Sequence, residues 1–105
     1  MGFTNIDANV LEGLQASGAR VVDVRTTGEI ARGVIPGASH IALSELPTRL
    51  TELGDSAPIV LYCQVGGRSA GAAQFLVAQG FKQVYNLQGG INAWAATGRP
   101  IENLM

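Results

Sequence analysis

Hydrophobic positions along the chain switch repeatedly between a helical and an extended rhythm. Asp7 precedes Ala8 to Gln15, where Val10, Leu11 and Leu14 fall on one face, and Gly18 follows as a stop, so a first helix is expected there. Val21-Val22-Asp23-Val24 is a short β-branched run suited to a strand buried on both faces. Thr26 to Gly33 reads as a turn with one helical turn, and Ile35-Pro36-Gly37-Ala38 as a turn leading into a brief apolar stretch at Ile41 to Leu43. Ser44 is placed to cap a helix through Leu53, with Leu46, Leu50 and Leu53 inward.

The strongest strand signal is Pro58 to Tyr62. It runs through Cys63 and a glycine-containing loop into a helix, Ser69 to Gln79, ended by Gly80. A last strand, Gln83 to Asn86, leads through Gly89-Gly90 to a helix around Ile91 to Ala96, closed by Gly98. Strands alternating with helices predict an α/β fold: a parallel sheet covered on both faces, with ligands at the carboxyl ends of its strands. The last few residues read as loose, and no repeats, linkers or low-complexity tracts interrupt the chain.

Composition narrows the chemistry. With 105 residues, 47% apolar and 14% charged, the chain reads as one globular domain spanning residues 1–105. One Cys and one His permit neither an internal disulfide nor a Cys/His zinc cluster, so chemistry at Cys63 is that of a lone thiol, with no metal. The net charge of −1 and seven scattered Lys and Arg residues offer nothing to nucleic acid or anionic lipid. The chain starts without the basic and apolar run of a signal peptide, and nowhere are about 18 apolar residues consecutive; a cytoplasmic location is expected.

Cys63-Gln64-Val65-Gly66-Gly67-Arg68-Ser69 carries the candidate chemistry. A thiol at a strand's carboxyl end, just before a helix, lies where loop amides and the first helical N–H groups converge, and Arg68 can add a full positive charge. An unperturbed thiol is only about 3% thiolate at pH 7, whereas a shift of two units makes it roughly three-quarters thiolate. Gly66 and Gly67 let the backbone bend so that amides face inward. A bare cysteine at a strand end is equally well a small buried hydrophobe, and a backbone cradle also suits phosphate, so the nest alone does not name a reaction.

Four segments in order resemble the rhodanese-like domain family: Val21-Val22-Asp23-Val24-Arg25 with Glu29; Gly33-Val34-Ile35-Pro36-Gly37-Ala38-Ser39-His40-Ile41; Ile59-Val60-Leu61-Tyr62-Cys63 with Gly66, Arg68 and Ser69; and Asn86 to Trp94, ending in Gly98-Arg99-Pro100-Ile101. The resemblance implies a three-layer α/β/α fold on a five-stranded parallel sheet, with the active loop following the fourth strand. It implies that Cys63 accepts sulfur as a persulfide, with Gln64, Val65, Gly66, Gly67, Arg68 and Ser69 lining the substrate site and Arg68 beside its anionic group. Four residues separate Cys63 from Arg68, as in sulfur-transferring members; the related phosphatases and arsenate reductases enclose one more. Val34 departs from the family, whose members often carry His there.

The implied reaction moves a sulfane sulfur from a small anionic donor such as thiosulfate to cyanide, a thiol or a protein acceptor, and it calls for no cofactor. The alternative is a non-catalytic module that senses persulfides or recruits a partner; Val34 leans that way, and the retained cysteine argues against it. Asp23 and Arg25, at the end of the second strand, are expected to pair and buttress the loop. Arg32 reads as a solvated turn residue, or as a cation that draws in an anionic donor. His40 reads as a structural hydrogen bonder, Trp94 and Phe75 as packing, and Gly89-Gly90 as a tight turn rather than a phosphate loop.

Overall fold

The computed structural model describes residues 2–54 and 56–103. Five strands form one parallel sheet: β1 (Thr4–Ile6), β2 (Arg20–Asp23), β3 (Ser39–His40), β4 (Ile59–Tyr62) and β5 (Val84–Leu87), in the order β1-β5-β4-β2-β3. The helices are α1 (Ala8–Ala16), α2 (Thr27–Ile30), α3 (Gly67–Ala78) and α4 (Gly90–Ala96), with 3-10 segments at Leu43–Thr48 and Leu50–Leu53. β4 is central, flanked by β5 and β2, and so is the strand best shielded from water.

The two-residue period of β4 sorts its side chains between two cores. Ile59, Leu61 and Cys63 face a cluster with Ala72, Ala73 and Leu76 of α3 and with Leu46 and Leu53 of the 3-10 segments. Val60 and Tyr62 face the other side, against Leu11 of α1 and Ile91 and Trp94 of α4. The result is the three-layer α/β/α arrangement, and Cys63 belongs to the α3 side.

Local chemistry explains most element boundaries. The Asp7 carboxylate accepts from the Val10 amide at 3.0 Å and caps α1. Thr26 and Glu29 close a reciprocal capping box on the single turn of α2. The structure departs from the sequence reading at four places. Val10 is 46% exposed, because the inward stripe of α1 runs through Ala8 and Leu11. The helix expected from Ser44 to Leu53 is two 3-10 segments: Pro47, which has no N–H, lies inside the first, and its start has no side-chain cap. β1 was not visible in the apolar pattern, because of its three residues only Ile6 is buried. Near the end of the chain, Glu102 is tied down by two 2.8 Å backbone hydrogen bonds with Val34; Leu104 and Met105 lie outside the described residues.

The loop after Cys63 rests on the start of α4. The Ile91 amide donates to the Cys63 carbonyl at 2.9 Å and the Asn92 amide to the Gln64 carbonyl at 3.2 Å, so two loop carbonyls satisfy free amides of the helix end. Gly90, at φ +60°, permits this approach: a Cβ there would meet the Cys63 and Gln64 backbones at 2.4 to 2.5 Å. Gly90→Ala is expected to lower unfolding free energy by about 2 to 4 kcal/mol through left-handed strain and overpacking, measured by urea denaturation. Gly67→Ala, with open space around it and ordinary φ, should be neutral or stabilise by up to about 1 kcal/mol.

Candidate functional site

Cys63 is buried at the carboxyl end of β4, and its sulfur is met by donors from the turn into α3. The Gly66 amide lies 3.1 Å from Sγ, the Ser69 amide 3.4 Å and the Ser69 hydroxyl 3.4 Å. Gly66 takes φ +103°, a left-handed conformation that turns the following chain back so that the Ser69 amide reaches the sulfur; a Cβ there would sit 3.1 Å from the Gly89 nitrogen. Burial pushes the thiol up, but hydrogen bonds from the Ser69 hydroxyl and amide and from the Gly66 and Val65 amides outweigh it, and the thiol sits below its ordinary value. A persulfide on this sulfur would be anionic as well and would meet the same donors.

The other loop residues face elsewhere. Gln64 accepts from Arg25 Nη1 at 3.1 Å and donates to Asn92 at 2.6 Å, bracing the loop between β2 and α4. The Val65 side chain is 65% exposed. Gly67 opens α3 without positive φ and makes no hydrogen bond to the sulfur among the described residues, so of the two glycines only Gly66 bends the chain. Arg68, expected to lend its charge to the thiolate, forms a two-point ion pair with Glu29, at 2.7 and 2.8 Å, while its charge is still felt at Cys63.

Beneath the loop, Arg25 and Asp23 are both buried and joined at 2.8 Å. Arg25 also donates to the Gly33 carbonyl at 2.7 Å and stands over the Tyr62 ring. One guanidinium thereby fixes the end of β2, the segment before Ile35 and, through Gln64, the active loop. The Tyr62 hydroxyl accepts from the Ile35 amide at 3.0 Å, and burial, followed by the nearby Asp23 charge, raises its ionisation well above the usual phenol range. His40 Nε2 lies 2.6 Å from the Arg25 carbonyl, a structural contact. Arg32 is exposed and has no ion pair among the described residues. Val34, where the family often has His, is buried and brings no polar group.

Two residues at the site, both within the family-like segments, were given no role from the sequence. Asn86, buried on β5, accepts from the Ser69 hydroxyl at 2.5 Å and donates to Asn5 at 3.0 Å. Its signal was a lone polar residue in an otherwise apolar strand end. Glu29 carried one too, in the Thr26-x-x-Glu29 capping box. Ser69 has one hydroxyl proton and three acceptors, Asn86, the Gly66 carbonyl and Cys63. Growing negative charge on the sulfur draws that proton toward it.

A parallel α/β sheet whose fourth strand delivers a lone cysteine into a ring of amides at a helix start has the rhodanese-like architecture. The Rhodanese-like domain family matches residues 7–97, and the chain belongs to it. It is 44% identical over 81 residues to a sulfurtransferase of Allochromatium vinosum, covering 77% of this chain and 76% of that protein. It is 37% identical over 95 residues to the thiosulfate sulfurtransferase GlpE of Ectopseudomonas mendocina, covering 90% and 87%. The crystal structure of a rhodanese-related protein from Thermoplasma volcanium superposes with a TM-score of 0.87 at 30% identity, over 95% of this chain and 98% of that one. Sulfurtransferase activity is thus the family function its relatives support.

Because the chain has one cysteine, ultraviolet thiolate absorbance titrates Cys63 alone. The thiolate should appear with rising pH at a midpoint below that of an unperturbed thiol, about 8.5. Ser69→Ala should move that midpoint up by roughly one unit, the loss of one hydrogen bond to a charged group.

Proposed function

We propose that Cys63 is the sulfur carrier of a double-displacement sulfurtransferase working in a reducing, cytoplasmic setting. In the first half-reaction the Cys63 thiolate attacks the outer sulfur of a sulfane donor such as thiosulfate. A new S–S bond forms to Cys63, the donor's S–S bond breaks, and sulfite leaves with the bonding pair; no proton or external electron is needed. In the second, a nucleophile such as cyanide or a thiolate attacks the outer sulfur of the persulfide, and Cys63 departs as thiolate.

The observation that carries this reading is the convergence of the Gly66 amide, the Ser69 amide and the Ser69 hydroxyl on one buried sulfur. These donors fit an anion at both stages, first the thiolate and then the persulfide. The four-residue gap from Cys63 to Arg68 favours a cradle for one sulfur atom over a tetrahedral oxyanion. With one cysteine the chain holds no second thiol to resolve the persulfide as an internal disulfide, so the sulfur leaves to another molecule. Gln64, Val65 and Gly67 form the rim of the site, and Asp23, Arg25 and Asn86 hold its walls.

Incubation with thiosulfate followed by intact mass spectrometry should show a gain of one sulfur atom, removed by cyanide and absent in Cys63→Ser. No gain, or a gain that survives the substitution, refutes the assignment. A protein that gains no sulfur yet hydrolyses an aryl phosphate through Cys63 would belong to the phosphatase branch.

A further inference from the structure

The mouth of the site contains a cation that is already neutralised. Arg68 and Glu29 lie 39 positions apart in sequence and meet through both guanidinium nitrogens and both carboxylate oxygens. Glu29 is not a loose surface partner. Its Oε1 also accepts from the Thr26 amide at 3.0 Å and the Thr26 hydroxyl at 3.2 Å, which pins the carboxylate at the start of α2. The Arg68 hydrogen bonds, with help from Thr26, hold its carboxyl at about 2, so it stays charged throughout any working pH range.

We propose that Glu29 is a specificity-determining residue: by holding Arg68 in a two-point ion pair it disfavours doubly charged sulfur donors and favours singly charged ones. The inference rests on the sulfur-transfer reading of Cys63. The charges around the sulfur explain why. Asp23 and Arg25 cancel each other inside the fold, and Arg68 and Glu29 cancel at the mouth. Arg32, just past the end of α2, is exposed and makes no ion pair among the described residues, and the salt dependence below tests whether it draws anions in. The thiolate itself repels an incoming anion, and each charge on that anion adds to the repulsion, with the one cation of the Cys63 loop, Arg68, already paired.

Thiosulfate and methanethiosulfonate separate charge from chemistry. Both present a terminal sulfane sulfur on an oxidised sulfur, the first as a dianion and the second as a monoanion. Thiolate attack on either forms the Cys63 persulfide; the S–S bond breaks, and sulfite or methanesulfinate leaves with the electron pair. The total charge is conserved in both.

Glu29→Gln removes the negative charge but keeps the capping box, since glutamine serves at that position too. The variant should raise the ratio of kcat/KM for thiosulfate to kcat/KM for methanethiosulfonate by about tenfold at low salt, and lose most of that gain near 1 M salt, where fields are screened within about 3 Å. An unchanged ratio, or an equal fall for both donors, overturns the proposal. The unsubstituted protein offers a second measurement. Its kcat/KM for thiosulfate should hold steady or rise as salt is added; a fall of several-fold would mean that a free cation draws the dianion in, and would also overturn it. Intact mass separates this failure from that of the underlying reading. A protein that gains sulfur from both donors with no change in their ratio refutes the role of Glu29 alone, and one that gains sulfur from neither refutes both.

Discussion

Negative charge on a buried sulfur is tolerable only where N–H and O–H groups converge on it, and at Cys63 that convergence is set by the turn from β4 into α3. The strand brings the sulfur out of its most shielded position, and the left-handed Gly66 folds the next amides back over it. Ser69, in the first turn of α3, adds an amide and a hydroxyl. Burial alone would make the thiol inert; the hydrogen-bond donors overcome it. The same arrangement that activates the thiol would hold a persulfide, so carrying sulfur asks for little rearrangement.

Much of the fold serves to keep that turn still. Gly90 lets the start of α4 reach the Cys63 and Gln64 carbonyls, and Asn86 anchors the Ser69 hydroxyl from the neighbouring strand. Arg25 works from the other flank, binding Asp23, Gly33 and Gln64 at once. Removing its partner would leave a buried guanidinium unpaired, a costly state, which makes this ion pair a rigid brace rather than an ornament of the surface. Arg68 and Glu29 differ in kind. They pair where both side chains are partly exposed, and the selection among donors proposed above rests on that pairing.

The parts of this arrangement that follow from side-chain pattern were legible in the sequence. Val21 to Val24 and Pro58 to Tyr62 are apolar on both faces because helices cover both sides of the sheet, and Cys63 falls at the end of β4 by simple continuation. The family resemblance supplied the five-strand count and the loop. Contacts between distant segments were hidden. No local signal sends Arg68 to Glu29, 39 positions away, or Asn86 to Ser69, and β1 leaves almost no apolar trace because it is a short edge strand. Pro47 was the overlooked clue in the middle of the chain: its missing N–H was enough to break an expected helix into two tighter segments.

The most direct test of the account is the stoichiometry of sulfite release. When thiosulfate is mixed with the protein in the absence of an acceptor, a single rapid burst of sulfite should appear, matching the amount of Cys63, followed by no further release until cyanide or a thiol is added. No burst, or steady sulfite production without an acceptor, would contradict a sulfur-carrying Cys63.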